Sequence, residues 1–587
     1  MGVLTRSSAV LSVILLLLAG CSNAEDRLRD TVSAFADALS RGDAAAAAAL
    51  TTDPAAAGKT LDALFASLGK DVHVGVSATA EDNGAGTFAL DTTWKFGPQK
   101  RIEWSYRADG RATSVADDWK IQWDATTVAP GLDKGPLSFS TLVPQPAARV
   151  LDRTGAELLT QHLVTLVDLA PGADVNAVAA LINPIAPTVT PESLAGELAG
   201  GKSVTAITLR DEDLAPIQAQ LAALPNVTLR PQTRLLATDR ALTSPTLSGL
   251  SDLWQQRMDA ADGWAVTAQT AAGAQRVGGQ DAQPVGDIAS TLDIGLQRAA
   301  ENALAPLPTP AALVAIQPST GNLLAVAQNA PADAQGPIAL TGLYPPGSTF
   351  KTVTVSAALQ AGQVTADSVV GCPGTENIEG RQIPNDDDFD LGDVPLHTAF
   401  ARSCNTTMGR LAVNLPPDAL TAAAAQLGLG IDFTAPGMTT VTGSVPVADT
   451  SALRVEEGIG QGKVTASPFG MALVAATLAH GSVPMPTIVA GQPATADRTP
   501  QPLPAGVAEQ VRAMMAETVA AGTATQLQDI PGMLGKTGTA EYVGPDGVQR
   551  AHGWFVGIRD DLALAVFVGD ADSSTPAVDA AGRFLRS

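Results

Sequence analysis

The chain has 587 residues, too many for one hydrophobic core, and at about 150 residues per domain its length predicts three or four units. Its formal net charge of -23 at pH 7 repels phosphate backbones, which argues against nucleic acid as a partner. Hydrophobic residues make up 45% of the chain, which is ordinary for a globular protein and excludes a largely disordered one.

The first segment, residues 1–21, combines a positive charge at Arg6 with an apolar run from Val10 to Leu18 and ends in Leu-Ala-Gly-Cys. The run is about half as long as a bilayer-spanning helix, so it predicts an export signal. Its ending resembles the lipobox of bacterial lipoproteins, which implies lipidation of Cys21; an ordinary secretory signal cut elsewhere is the alternative. We therefore expect a lipid anchor at the extracytoplasmic face of a bacterial plasma membrane.

Residues 25–140 predict a small, cone-like α+β domain. An amphipathic helix carrying Leu28 and Val32 comes first, and strand-like runs follow at 72–76, 87–96, 101–107 and 119–126. Four of the seven tryptophans fall here, where core packing is their simplest role. The order of elements and the run DDWKIQWDATTVAPGL resemble the nuclear transport factor 2-like extension of methicillin-resistance-type penicillin-binding proteins.

The run from Pro130 to Pro146 is rich in Pro, Gly and Ser and predicts a linker. A second domain, 145–250, opens with the strand-turn pattern RVLDRTG and continues through a predicted helix at 211–224 and a predicted strand at 227–236. This opening is similar to the pedestal, or dimerisation, domain of class B penicillin-binding proteins.

The third domain, 285–587, predicts an α/β sandwich. A strand leads into a helix over 287–304, a hairpin follows over 311–327, and two strands are predicted at 552–558 and 562–568. We expect an antiparallel sheet with helices on both faces beside an all-helical lobe. The fold class is therefore a multidomain α+β protein.

The stretch YPPGSTFKTVTV places Ser348 three residues before Lys351, directly after residues that cannot continue a preceding helix. Residues three apart share a helix face, so the lysine amine can reach the hydroxyl, and the helix N-terminus favours negative charge nearby. A serine is a weak nucleophile until a base takes its proton. Ser67 and Lys70 repeat the spacing, so this pair alone proves little.

Two further motifs separate the candidates. Ser403-Cys404-Asn405 and Lys536-Thr537-Gly538-Thr539 follow Ser348 in the order SxxK, SxN, KTG, which is the order of the penicillin-recognising serine acyltransferases. The runs AFARSCNTT, EEGIGQGKVTASPFGMA and GKTGTAE fit the same class. The chain after residue 145 resembles class B penicillin-binding proteins of the lipoprotein kind known from actinobacteria.

The resemblance implies a peptidoglycan D,D-transpeptidase inhibited by β-lactams, without a cofactor. Ser348 would attack the carbonyl between two D-alanines of a stem peptide. Lys351 would act as the base and Ser403 as the proton relay. Asn405 would bind substrate and the lysine amine, and Lys536 would keep that amine neutral and attract the terminal carboxylate. The hydroxyls of Thr537 and Thr539 would also bind that carboxylate, and Gly538 would let the strand backbone approach closely. The backbone N–H groups of Ser348 and Thr539 would form the oxyanion hole.

Cys372 and Cys404 are the cysteines left after the signal, and in an oxidising compartment they are a candidate disulfide; two buried free thiols remain the alternative. No metal site is predicted, and the five histidines lack a catalytic triad or HExxH context, with His552 expected to pack on a strand. The alternatives in function are a D,D-carboxypeptidase or β-lactamase-like hydrolase and a non-enzymatic β-lactam or muropeptide binder. Expected partners are stem peptides, β-lactams, a glycosyltransferase and divisome or elongasome proteins.

Overall fold

The computed structural model describes residues 9–116, 118–544 and 546–587, with side chains from residue 24 onward except residue 98. The predicted lipidation site Cys21 lies outside the described side chains, and residues 1–8 of the predicted signal lie outside the described chain. In the described part, no helix has both the length and the apolar character needed to cross a bilayer. The chain forms two compact units, Met1–Pro146 with Met258–Val285, and Ala147–Arg257 with Gly286–Ser587.

The first unit is an α+β structure with two antiparallel sheets. Its helices are α1 (Ala9–Ser40), α2 (Ala44–Ala49) and α3 (Pro54–Leu68). One sheet has the order of its strands in sequence, β1 (Val72–Asp82), β2 (Ala85–Phe96), β3 (Ile102–Val115) and β4 (Asp118–Ile121). The other pairs β5 (Leu137–Leu142) with β10 (Gly263–Thr270), which pairs with β11 (Gly273–Gln280).

The core of this unit lies between α1 and the sheets. Leu28, Val32, Phe35 and Leu39 recur on one face of α1 and are all buried there with the indole of Trp94, as the amphipathic pattern and the packing role of tryptophan predict. The apolar face of the helix is therefore the side that covers the sheet.

Two sequence predictions in this unit are wrong in part. The strand predicted to reach residue 126 ends at Ile121, because the Asp124 side chain accepts a hydrogen bond from Thr126 N and starts a 3-10 turn, Ala125–Thr127. The predicted linker 130–146 contains β5, which pairs with a strand more than a hundred residues later. Such a long-range pairing leaves no local pattern in the sequence.

The second unit begins with a sheet around the long strand β7 (Glu157–Leu169). The other strands of this sheet are β6 (Val150–Leu151), β8 (Val204–Arg210), β9 (Val227–Ala237) and β12 (Ile288–Ala289). Its helices are α4 (Val175–Ile182), α5 (Pro191–Leu198), α6 (Asp211–Leu214) and α7 (Gln218–Ala222). The single helix predicted over 211–224 is broken because Pro216, which has no N–H to donate, lies between α6 and α7. The helix α8 (Thr246–Ala261) follows.

A five-stranded antiparallel sheet forms the centre of the third predicted domain. Its strand order is β14 (Leu323–Gln328), β13 (Ala311–Ile316), β26 (Leu562–Val568), β25 (Gln549–Arg559) and β24 (Leu534–Val543). On one face Leu313 and Val566 pack with α9 (Ile294–Leu304) and α19 (Thr575–Leu585). The helix α17 (Pro468–His480) contacts the same strands. Helices on a buried antiparallel sheet agree with the prediction, and the edge strand β24 carries the KTG motif.

The remaining helices include those where an all-helical lobe was predicted, and short strand pairs accompany them. The helices are α10 (Ala330–Asp333), α11 (Ile338–Thr341), α12 (Lys351–Gln360), α13 (Leu396–Ala401), α14 (Asn405–Val413), α15 (Ala419–Gln426), α16 (Ser451–Gly458) and α18 (Val507–Ala520). The paired strands are β15 (Val369–Cys372), β16 (Thr375–Ile378), β17 (Arg381–Pro384), β18 (Gly392–Pro395), β19 (Phe433–Ala435), β20 (Met438–Thr439), β21 (Gly443–Ser444), β22 (Thr465–Ala466) and β23 (Thr495–Ala496). The region is thus largely but not entirely helical, and α10, α11 and α18 contact the central sheet.

Candidate active site

Ser348 lies on a tight turn that is held against the edge of the central sheet. A 3-10 helix, Gly347–Phe350, leads into α12, and the backbone N–H of Lys351 donates to the carbonyl of Ser348. In a 3-10 turn residues three apart are eclipsed, so the serine and lysine side chains share one face. The helix predicted to begin at Ser348 therefore starts with a 3-10 turn, and Ser348 remains partly exposed.

Gly347 makes this turn possible. Its φ of +52° is a left-handed conformation, and a Cβ at this position would lie 2.4 Å from the carbonyl oxygen of Thr539. Its N–H donates to Gly460 O at 3.0 Å. The glycine-bearing segment that contains Gly460 thus contacts the turn directly, and the indole of Trp554 donates to Pro345 O at 2.9 Å.

Lys351 is fully buried, and its amine faces the SxN motif. Nζ donates to Asn405 Oδ1 at 2.6 Å, to the backbone oxygen of Ser403 at 2.7 Å and to Ser403 Oγ at 3.2 Å. Burial lowers the pKa of this amine well below its ordinary value, the charge of Lys536 lowers it further, and Asp386 opposes the shift. These effects shift the amine toward its neutral form, which is the form that can accept a proton.

Ser403 stands between two amines in a strained backbone conformation. Its φ of +63° is unusual for a residue with a side chain and costs about 1 to 3 kcal/mol. This conformation places Oγ 3.2 Å from the Lys351 amine and 3.0 Å from the Lys536 amine. A hydroxyl in that place can pass a proton between two nitrogen atoms.

Lys536 is the second buried lysine, at the start of the KTG motif on β24. Its Nζ donates to Ser403 Oγ and, at 2.9 Å, to Thr537 O, and it lies 5.6 Å from the centre of the Phe400 ring. Burial lowers its pKa to about 7. Gly538 is the third residue of the motif. A Cβ at this position would lie 2.9 Å from Pro346 O, so the absence of a side chain allows β24 to approach the turn that carries Ser348.

A disulfide joins Cys372 at the end of β15 to Cys404 in the SxN motif. Both cysteines are fully buried. The hydroxyl of Thr407 donates to Gly371 O at 2.8 Å, so hydrogen bonding and the covalent bond tie the same two segments together. Cys404, which directly precedes the helix α14, is therefore covalently anchored to β15.

The remaining sequence predictions at the site concern histidine and metal. His552 lies buried on β25, where its ring stacks on Tyr542 and meets the ring of Tyr344 edge-on, as the prediction of a packing role requires. Burial lowers its pKa. Across the described residues, no group of three or more His, Cys, Asp or Glu side chains is arranged to hold a metal ion. The second SxxK match behaves differently, since Ser67 Oγ donates to Leu137 O at 2.7 Å as part of the first unit's packing.

Comparison with known proteins agrees with this geometry. A family model described as the penicillin binding protein transpeptidase domain matches residues 311–583, which include all three motifs. Peptidoglycan D,D-transpeptidase PbpA of Mycolicibacterium smegmatis is 31% identical over 333 residues, covering 49% of this chain and 67% of that protein. The chain belongs to the penicillin-binding protein family.

Other members and solved structures extend the comparison. PbpA of Mycobacterium tuberculosis is 30% identical over 330 residues, so the match covers 48% of this penicillin-binding protein and 66%, just under two thirds, of that relative. Solved structures of a peptidoglycan synthase complex that coordinates polymerization and crosslinking and of a PBP2–MreC complex from Helicobacter pylori share the fold. The TM-score is 0.56 for each. The synthase complex is 23% identical, with 76% of this chain and 90% of that chain covered. The PBP2–MreC complex is 17% identical, with 77% of this chain and 98% of that chain covered.

Three residues near the site of this penicillin-binding protein were not predicted. Thr523 lies 2.6 Å, oxygen to oxygen, from the Thr537 hydroxyl, and Asn385 binds the backbone of the SxN motif. Glu457, in the glycine-bearing segment, is fully buried, and neither of its carboxylate oxygens has a partner among the described residues. The sequence signals for two of them are weak: Asn385 is a single Asn before an acidic run, and Glu457 is a Glu before a Gly-rich segment.

Proposed function

We propose that this penicillin-binding protein is a peptidoglycan D,D-transpeptidase that works through a Ser348 acyl-enzyme. The observation that carries the proposal is the environment of Lys351. A buried amine of lowered pKa, one turn from a partly exposed serine hydroxyl, is the pair that a serine acyltransferase without histidine needs.

In the first step the Lys351 amine takes the proton of the Ser348 hydroxyl while the oxygen attacks the carbonyl carbon between two D-alanines. The carbon–nitrogen bond then breaks. Ser403 relays a proton to the leaving nitrogen, and D-alanine departs, leaving the stem peptide as an ester on Ser348. In the second step an amine from a neighbouring stem peptide attacks the ester, forms the cross-link and returns the proton through the same groups.

The other motif residues supply binding and charge. The Lys536 ammonium and the hydroxyls of Thr537 and Thr539 bind the terminal carboxylate of the donor peptide. The N–H groups of Ser348 and Thr539 bind the developing oxyanion, and loss of one such donor costs about 10² to 10³ in rate in other enzymes. Asn405, whose Oδ1 accepts from Lys351, keeps an amide hydrogen for the substrate backbone.

Covalent labelling tests the nucleophile. Labelled penicillin should attach to the wild-type protein, and Ser348→Ala should abolish attachment. Ser67→Ala is the matched control, because Ser67 has the same spacing to a lysine and should leave labelling unchanged. Labelling that survives in folded Ser348→Ala protein would refute the assignment.

Product analysis separates cross-linking from hydrolysis. With a pentapeptide donor and a stem-peptide amine as acceptor, a transpeptidase yields a covalent dimer, whereas a D,D-carboxypeptidase yields only the hydrolysed donor and a β-lactamase-like hydrolase is recognised instead by hydrolysed β-lactam. A protein that binds without catalysis yields neither. Mass spectrometry of the peptides distinguishes the three outcomes.

The remaining assignments are proposed on sequence resemblance. Residues 1–21 are a lipoprotein signal, 25–140 a nuclear transport factor 2-like domain, 145–250 a pedestal domain and 285–587 the transpeptidase domain. Lipid on Cys21 holds the enzyme on the extracytoplasmic face of the plasma membrane, beside glycosyltransferase and divisome or elongasome partners. Cys21→Ala should release the protein from membranes, and unchanged membrane retention would contradict the lipid anchor.

A further inference from the structure

A buried asparagine connects the catalytic SxN motif to a loop twenty residues earlier. Asn385 follows β17 directly and is only 3% exposed. Its side-chain oxygen accepts from Asn405 N at 2.8 Å and from Thr406 N at 3.2 Å. Its amide nitrogen donates to the backbone oxygens of Pro373 and Phe389, both at 2.9 Å. The side chain therefore uses both lone pairs and both N–H groups.

These contacts replace a missing helix cap. The first N–H groups of a helix have no partner within it and are commonly capped by the preceding side chain. The residue before α14 is Cys404, whose sulfur is in the disulfide and makes no capping hydrogen bond. Asn385 supplies the cap from another segment, so the position of the first turn of α14 depends on it.

The same loop also fixes the side chain of Asn405. Asn405 Nδ2 donates to Pro384 O at 2.9 Å, on the residue next to Asn385. With the nitrogen held there, Oδ1 points to the Lys351 amine at 2.6 Å. Both the backbone and the amide of Asn405 are thus set by Pro384 and Asn385.

The loop itself is anchored where the disulfide is. Pro373, which accepts from Asn385, follows Cys372 in the chain, and Pro373 O also accepts from Thr406 Oγ1 at 3.0 Å. The disulfide limits how far the two segments separate, while Asn385 sets their register through directed hydrogen bonds.

We propose that Asn385 is a positioning residue for proton transfer, which acts through Asn405 to hold the amide oxygen on the Lys351 amine. The proposal rests on the proposed function insofar as Lys351 is the base. It assigns Asn385 no contact with the substrate. A positioning defect should therefore slow the chemical step and leave substrate binding nearly unchanged.

Acylation kinetics with a chromogenic β-lactam test this expectation. In Asn385→Ala the acylation rate constant should fall about 10- to 100-fold, the scale of a small misplacement in an active site, with the binding constant changed less than about threefold. Asn377→Ala is the matched control, since that asparagine caps the adjacent β16–β17 turn by accepting from Gly380 N, and among the described residues no side-chain hydrogen bond joins it to the SxN motif. An unchanged acylation rate constant in Asn385→Ala, or an equal loss in both variants, would overturn the proposal.

A double-mutant cycle shows whether the effect passes through Asn405. In an Asn405→Ala background, the added Asn385→Ala change should cost less than about threefold in acylation, because the amide that it positions is gone. A full multiplicative loss would refute the coupling. Asn385→Asp keeps an oxygen for the N–H groups of Asn405 and Thr406 but turns a carboxylate oxygen toward the carbonyls of Pro373 and Phe389. It replaces Asn385→Ala in the same acylation measurements if Asn385→Ala does not fold.

A second readout does not depend on enzymatic activity. The rate at which an amine-reactive ester modifies Lys351, measured by peptide mass spectrometry, should rise at least severalfold in Asn385→Ala and stay at the wild-type level in Asn377→Ala. If wild type is not acylated at all, the proposed function fails while this measurement still decides the positioning role. Equal Lys351 modification in both variants would refute it.

Discussion

A buried carboxyl beside the turn that carries Ser348 should make the stability of the protein depend on pH. Glu457 is fully buried without a hydrogen-bond partner among the described residues, and it precedes the segment that accepts a hydrogen bond from Gly347 N. Burial raises its pKa from 4.5 to about 7, Lys463 opposes the shift, and Glu456 and Asp449 add to it. We predict that Glu457→Gln becomes progressively more stabilising as pH rises.

The magnitude follows from linkage. A carboxyl with a raised folded-state pKa binds its proton more tightly when folded, so stability is highest below about pH 4.5, falls as pH rises to about 7 and is then constant. Between those two pKa values the carboxyl loses about 3 kcal/mol of stabilisation, and because Glu456, one of the charges that raise the pKa, is partly exposed, solvent screening reduces the expected effect to about 2 kcal/mol. Glutamine has no charge and escapes this loss.

Urea unfolding at pH 4.5, 6 and 8 measures the effect, with intrinsic tryptophan fluorescence as the signal. The free energy of unfolding of Glu457→Gln relative to wild type should rise by about 2 kcal/mol between pH 4.5 and 8. Glu509→Gln is the control, because Glu509 is an exposed carboxylate 3.8 Å from Arg512 and does not contribute to the raised pKa of Glu457, and its change should stay within about 0.5 kcal/mol. A difference that does not vary with pH would refute the reasoning.

Three further predictions concern the site. Gly347→Ala should abolish penicillin labelling in folded protein, because its Cβ would lie 2.4 Å from Thr539 O; normal labelling would contradict the described turn. Lys536→Ala removes a charge that lowers the pKa of Lys351, so the acid limb of the acylation pH profile should move to higher pH, and a shift to lower pH would contradict the coupling. Cys404→Ser opens a loop of 32 residues and should cost about 3 to 4 kcal/mol in unfolding free energy; a variant as stable as wild type, by the same urea assay, would exclude a stabilising disulfide.

The sequence predicted well what depends on local pattern and on motif order. The central hairpin, the terminal strands and the amphipathic first helix could be located because strand and helix periodicities differ. The three motifs could be assembled without coordinates because each has a defined chemical use. The contact between Asn405 and the Lys351 amine that the resemblance implies is present at 2.6 Å, and the structure adds two contacts of that amine with Ser403.

Features that depend on burial or on distant pairing could not be predicted. Asn385 and Glu457 are ordinary polar residues in the sequence, and only the packed chain shows that one is fully hydrogen-bonded and the other is not. The segment that contains β5 is rich in turn-forming residues, and it forms a strand because β10 supplies the pairing. The break at Pro216 was readable in principle, since a proline in the interior of a helix removes a backbone hydrogen bond and clashes with the preceding turn.

The two buried lysines also suggest how substrate binding activates the nucleophile. Both amines donate to one oxygen, Ser403 Oγ, at 3.2 and 3.0 Å, so two full charges there would repel strongly in a dry site. A charge on one amine therefore disfavours a charge on the other. A carboxylate bound at Lys536 favours the charged form of that lysine, and the like charge then holds Lys351 neutral, ready to accept the Ser348 proton.

A β-lactam whose carboxylate is masked as a methyl ester tests this coupling. It should lose acylation in the chemical step as well as in binding, and its acylation rate constant should be about tenfold lower near pH 7, where Lys536 without a bound carboxylate is charged only in part and the remaining proton can reside on Lys351. The parent acid is the control, measured on the same enzyme over the same pH range. If the ester loses only binding affinity and keeps the parent's acylation rate constant at every pH, the carboxylate serves recognition alone and the two lysines act independently.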